Sequence, residues 1–268
     1  MTSANKQVPA YTKGRTSRFQ QTLHRLSASQ KIAAPGSPPY SVYINRKVGR
    51  YVAAATYLAG WSPNKISCVS AALTFSGILL LASAPSAWWV GPTVWALLAV
   101  GYAFDSADGQ VARLKGGGSP AGEWLDHVLD SAKLSSLHLA VLVAAYRNFN
   151  LPSDAWFLVP ITFSVVSAVS FFSMILNDHL KLIYSRVDGI KSQSRSGSVA
   201  KSILLIPTDY GVLCLLFILI GNASLFFTVY TLFFVANASH LLLASFKWFK
   251  DMGKMAPAIV DAPLGERL

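Results

Sequence analysis

Between residues 64 and 246 the chain is written largely in apolar runs of about twenty residues, the length that matches the hydrocarbon thickness of a bilayer. Hydrocarbon offers no partner to a backbone amide, so runs of this kind must fold as helices that pair their own N–H and C=O groups. The breaks between the runs predict six spans, over roughly 64–84, 88–107, 121–146, 155–177, 205–222 and 224–246. Of 268 residues, 53% are hydrophobic and only 13% charged, which is too apolar for an ordinary soluble domain. The expected fold class is therefore all-α: a polytopic membrane protein with six transmembrane helices preceded by an interfacial amphipathic helix.

The charges that remain define the edges. The net charge of +11 lies mostly outside the apolar runs, where it suits anionic headgroups and the positive-inside rule better than nucleic acid, which is excluded as a partner. Residues 1–39 are basic and carry Pro35, Pro38 and Pro39; they are expected to form a disordered tail, with some helix around 15–30. They contain no apolar core of a cleavable signal, so the first span is expected to direct insertion. Within 40–60, Tyr40, Ile44, Val48, Tyr51 and Ala55 recur at helical spacing opposite Arg46, Lys47 and Arg50, the pattern of a juxtamembrane helix lying in the interface. Ser62 and Pro63 are the expected N-cap and first residue of the first span. The loops at 109–120 and 178–204 are rich in Lys and Arg, as is the tail that includes residues 251–268 and the turn before it. Both termini and these loops are therefore expected in the cytoplasm, with residues 61–250 as the transmembrane catalytic domain. Cys68 and Cys214 fall inside apolar runs and are expected to be buried and unpaired.

The costly charges are the informative ones. Asp105, Asp108, Asp126 and Asp130 stand at helical spacings beside the membrane, with Gly109, Ala112, Arg113 and Gly122 between them. Asp105 and Asp108 share one helix face, and Asp126 and Asp130 another. A short connection between their helices is expected to make the two antiparallel neighbours, so that all four carboxylates meet at one depth. Bare carboxylates so placed repel one another, and one or two hard cations, Mg²⁺ or Mn²⁺, would resolve the conflict. Gly109, Ala112 and Gly122 leave the backbone approachable, and Arg113 adds a cation suited to phosphate. Metal, arginine and open backbone together suggest a diphosphate ligand and phosphoryl transfer.

The pattern Asp-x2-Asp-Gly-x2-Ala-Arg-x8-Gly-x3-Asp-x3-Asp resembles the signature of the CDP-alcohol phosphotransferases, with all eight positions present at family spacing. The likeness extends more weakly over about 41–250 and includes Ser62-Pro63-Asn64, similar to the Thr-Pro-Asn that opens the first span in many members. The resemblance implies that a CDP-linked donor (CDP-diacylglycerol or a CDP-alcohol) gives its phosphoryl-alcohol part to an acceptor hydroxyl and releases CMP, in phospholipid or related lipid synthesis. It implies metal ligation by Asp105, Asp108 and Asp126, with Asp130 both near a metal and acting as general base. It also implies that Gly109, Ala112, Arg113 and Gly122 surround the CDP moiety, that the chain forms a homodimer, and that the site opens to the cytoplasm.

Other features were weighed against this reading. Arg186, Lys191 and Arg195 are acceptor-side candidates, or else simple positive-inside residues. The loop lacks the arginine-rich segment expected of inositol-phosphate-using members, so that acceptor is the alternative within the family. A divalent-cation transporter or channel is the alternative of a different class; it leaves Gly109, Ala112, Arg113 and Gly122 unexplained, and a fixed arginine opposes cation passage. A scaffold without activity has no use for the intact octet. Glu123 is expected to be a first-turn helix residue, and His127 a packing residue on another face with no second histidine at ligand spacing. His138, His179 and His240 carry no assigned role.

Overall fold

The computed structural model describes residues 17–30, 37–85, 87–188 and 205–254, with side chains along the long sixth helix described as far as 184. Every regular element among these residues is helical. Helix α1 (Arg18–Ala28) starts in a capping box: the Ser17 hydroxyl accepts from the Gln20 amide at 3.2 Å, and the Gln20 side chain accepts from the Ser17 amide at 3.1 Å. This helix falls within the 15–30 stretch where some helix is expected. Leu26 is 1% exposed because α1 lays an apolar edge against the helix that follows. A π-helical turn (Ser41–Asn45) runs into α2 (Arg46–Leu58).

Small residues let α2 lie close on the body of the protein. Gly49, Ala53 and Ala54 are buried, and a Cβ on Gly49 would stand 2.8 Å from the Ser106 side chain. The opposite edge presents Tyr43, Ile44, Val48 and Tyr51 to the outside, an apolar strip for which lipid is the natural cover. The far end of the chain fixes the start of this helix. Asp209, 1% exposed, accepts from the amides of Ser41 and Gly211, both at 3.1 Å, and the Tyr40 ring fills the space where a Gly211 side chain would lie.

Helix α3 (Pro63–Ser83) begins as expected, with the Ser62 hydroxyl accepting from the Lys65 amide at 3.2 Å and Pro63 in the first turn. Helices α4 (Val90–Leu114) and α5 (Pro120–Asn148) follow, the second opened in the same way by Ser119 and Pro120. A 3₁₀ turn (Asp154–Phe157) leads into α6 (Leu158–Asp188). Two short pieces come next, a 3₁₀ turn at Ile206–Thr208 and α7 (Tyr210–Leu216), the latter passing into a second 3₁₀ turn at Phe217–Gly221. The last element is α8 (Ala223–Gly253).

Four segments are long and apolar enough to cross a membrane: α3, α5, α6 with its leading turn, and α8. The chain is an integral membrane protein on that ground, with outer faces of α6 and α8 that expose Val165, Phe172, Leu232 and Leu243. The remaining two of the six expected spans differ for physical reasons. Helix α4 has the length, at 25 residues, but its C-terminal part carries Asp105, Asp108 and Arg113. The apolar stretch Tyr210–Gly221 spans only about 18 Å as helix, short of the roughly 30 Å of hydrocarbon. Of the cysteines, both unpaired, Cys214 is buried as expected, while Cys68 faces outward.

One polar triad pins the apolar half together. The ring nitrogens of His138 on α5 meet Tyr230 Oη at 2.7 Å and Ser167 Oγ at 2.8 Å, and the ring stacks on Phe163 at 3.9 Å. All three helices of the triad are thereby held in register. Replacing His138 by Leu leaves a buried tyrosine hydroxyl unpaired, a loss of about 1–3 kcal/mol. The midpoint of thermal unfolding in detergent is expected to fall accordingly, whereas Tyr230→Phe combined with His138→Leu recovers part of the loss.

Candidate active site at the ends of α4 and α5

The four aspartates come from helix faces set by simple periodicity, but the body that joins them was not foreseen. Helices α4 and α5 make few close backbone contacts; both pack on α3, and their side chains meet directly, Lys133 of α5 reaching Asp105 of α4. The expected neighbours are thus completed by a third helix, and α3 lines the space beside them with small polar residues. Ser70 Oγ donates to the Gly101 carbonyl at 2.9 Å, and a Cβ on Gly101 would collide with Thr74, so α3 and α4 cross at close range. Ser67 Oγ donates to Asp108 Oδ2 at 2.5 Å, and the Gly109 amide turns back onto Asp108 Oδ1. Asp108 is only 6% exposed and would be untenable in this position without those donors.

Asp105, Asp126 and Asp130 place carboxylate oxygens within 4.8 Å of one another. A fourth charged side chain joins them. Lys133, one turn beyond Asp130 on α5, puts Nζ 2.6 Å from Asp105 Oδ1 and 3.1 Å from Asp130 Oδ1, with Ser70 Oγ at 3.3 Å. Sequence reasoning passed over Lys133, although a lysine in an apolar span at i+3 from an aspartate was a visible anomaly. Ser67 and Ser70 gave no comparable signal, since serine is ordinary in a membrane helix.

Three hollows surround the cluster. The largest, a cleft of about 540 Å³, is walled by Asp108, Gly109, Ala112, Arg113, Gly122 and Asp126 from the octet, together with Ser62–Asn64 from the start of α3. A Cβ on Gly122 would stand 3.1 Å from Asn64 Oδ1 and 3.2 Å from Ser119 Oγ, so glycine keeps this wall open. A second hollow of about 210 Å³ is bounded by Asp105, Asp108, Asp126, Arg113 and also Arg46 of α2, which brings a second guanidinium toward the site. A third, of about 240 Å³, lies deeper, between Asp105, Asp130, Lys133, Thr74, Tyr102 and Tyr210. All eight residues of the octet thus border connected or adjacent space.

The remaining candidates divide. Arg186 belongs to α6, but its side chain, like Lys191 and Arg195, lies outside the described residues. Glu123 is in the first turn of α5, as expected. His127 does point away from the aspartates, into another cavity, where His179 of α6 lies beside it, ring centroids 6.5 Å apart. Residues 52 positions apart on different helices carry no spacing signal.

An integral membrane body with an acidic cluster and an arginine-walled cleft defines a class of intramembrane phosphate chemistry, and comparison with known proteins narrows it. A family profile described as CDP-alcohol phosphatidyltransferase matches residues 61–236, and the chain belongs to that family. It is also 41% identical over 93 residues to a phosphatidylinositol phosphate synthase of Corynebacterium glutamicum, a match covering 34% of this chain and 40% of that relative.

The fit of a divalent cation can be judged from the donors. They are all oxygen, three carboxylates converge within 4.8 Å, and a cleft gives access; this suits Mg²⁺ or Mn²⁺. Lys133 competes for the same oxygens. Lys133→Met is therefore expected to tighten Mn²⁺ binding about tenfold, a shift of about 1.4 kcal/mol, while making the metal-free protein less stable. Mn²⁺ titration followed by electron paramagnetic resonance, with thermal unfolding in chelator, checks both signs.

Proposed function

We propose that the protein transfers a phosphoryl-alcohol group, phosphatidyl in the first instance, from a CDP-linked donor to an acceptor hydroxyl, releasing CMP in lipid synthesis. The observation that carries this reading is the family octet gathered around one cleft and two hollows beside it, with three of its carboxylates within ligand distance of one another. Asp105, Asp108, Asp126 and Asp130 would hold Mg²⁺ or Mn²⁺. The bound cations supply charge neutralisation at the diphosphate.

The chain's own residues account for the rest. Gly109, Ala112 and Gly122 keep the cleft wall low enough for the CDP moiety, and Arg113 meets a phosphate oxygen with a fork of donors. Asn64 and Ser119, across from Gly122, are placed to hold polar edges of the donor. Asp130 borders the deeper hollow, which shares no wall residue with the large cleft. An acceptor hydroxyl arriving from that side would hand its proton to Asp130 as the new O–P bond forms and the bond to CMP breaks. Lys133 holds Asp130 and Asp105 in place through its two ion pairs. Six spans, cytoplasmic termini, a cytoplasm-facing site and a homodimer complete the proposal, supported by the loop charges and the family likeness.

An inositol-phosphate-type acceptor is the second reading, favoured by the likeness to the Corynebacterium glutamicum synthase. A screen of acceptor alcohols with CDP-diacylglycerol, read by mass spectrometry of the lipid product, separates the two. Purified protein is expected to release CMP only with divalent metal. Asp130→Asn is expected to lower the rate about 10²–10⁴-fold. Asp108→Asn and Asp126→Asn should abolish turnover at limiting Mn²⁺. Cation flux in proteoliposomes without CMP release from any CDP-alcohol would establish the transporter reading instead.

A further inference from the structure

Outside the carboxylate site, the described residues contain one other group of side chains with metal-binding geometry. Glu123 and His127 stand one turn apart on α5, with Glu123 Oε1 3.9 Å from His127 Nε2. His179 approaches from α6, its ring at 89° to that of His127, and one ligand atom from each of the three residues lies within 4.8 Å of the others. No hydrogen bond among the described residues engages the ring nitrogens of either histidine, so both remain available as donors. They border a cavity of about 450 Å³ that also touches Trp124 and Phe171, with room for an ion and a further ligand.

We propose that Glu123, His127 and His179 form a second metal site, of the zinc type, that clamps α5 to α6 beside the active site. Two imidazoles and a carboxylate are a borderline-soft donor set that Zn²⁺ accepts and Mg²⁺ does not favour. Ligand atoms on a tetrahedral Zn²⁺ stand about 3.3 Å apart, so small rotations of three partly exposed side chains complete the site and leave a fourth position open. The two metal sites are chemically orthogonal: the all-carboxylate cluster selects hard ions, the histidine cluster a softer one. They are also mechanically joined, because Glu123 follows Gly122 and His127 follows Asp126 on the same turns of α5. A clamp there restrains the segment of α5 that carries Gly122, Asp126 and Asp130 of the octet.

The test uses the full chain in detergent micelles, stripped with chelator, given Zn²⁺ in excess Mg²⁺ and desalted before elemental analysis. The wild type and an Asp105→Asn/Asp130→Asn variant are each expected to keep about one Zn²⁺ per chain, and His179→Ala less than a tenth of that. His179→Cys, which restores a zinc ligand, is expected to recover binding. Zn²⁺ should raise the unfolding temperature of the wild type and leave that of His179→Ala unmoved. Wild-type zinc content in His179→Ala would overturn the proposal, as would failure of the wild type to retain zinc. Zinc lost from the Asp105→Asn/Asp130→Asn variant but kept by His179→Ala would assign the ion to the carboxylate cluster and likewise overturn it.

Discussion

Keeping four carboxylates inside a helical body made for hydrocarbon is the constraint on which the rest of the structure depends. An unpaired charge in such surroundings is costly by several kcal/mol, and removing one partner of a buried pair is worse than removing both. The protein meets this with Lys133, which bridges Asp105 and Asp130, and with serine hydroxyls on α3 that reach Asp108 and Asp105. Helix α3 packs on both α4 and α5 to do so, and its first turn and Ser67 also wall the cleft, so charge compensation and ligand access draw on the same helix.

What the sequence made legible was local. Asp105 with Asp108, and Asp126 with Asp130, share faces because an α-helix repeats every 3.6 residues, and nothing tertiary is needed to see it. The Ser-Pro starts of α3 and α5 are likewise chemistry of neighbouring residues. The misses are contacts between distant positions: Ser67 with Asp108, His127 with His179, Ser41 with Asp209. The packing of α3 on both α4 and α5 is a contact of the same kind, since a short loop fixes direction but not which third helix lies beside the pair. Lys133 is different in kind. Its signal was present, a cation in an apolar run on the carboxylate face, and was hidden by reading the aspartates as a closed set.

The two sides of the carboxylate cluster also differ in how they can be read. The large cleft is walled mostly by the single stretch from Asp108 to Asp126, with Ser62–Asn64 and Ser67 added from α3. If its ligand is the CDP part shared by the donors of the family, as proposed, it places the same demands on each member. The deeper hollow draws Thr74 from α3, Tyr102 from α4, Lys133 from α5, Met174 from α6 and Tyr210 from α7. No motif can encode a wall assembled from five helices. If the acceptor enters there, as proposed, the chemistry of the reaction is written in one 26-residue stretch and its specificity is dispersed over the whole chain.

That dispersal gives the Asp209 latch a role beyond packing. Asp209 anchors the start of α7 to the π-helical turn before α2, through the Ser41 amide, and Tyr40 seals the contact over Gly211. Tyr210, the next residue, walls the deeper hollow and stacks edge-on against Tyr102 at 5.0 Å. Helix α2 is therefore connected by two short steps to the hollow that borders Asp130, and through Arg46 it also borders the hollow shared by Asp105, Asp108, Asp126 and Arg113. The contacts that seat α2 on the body of the protein thus reach both sides of the carboxylate cluster.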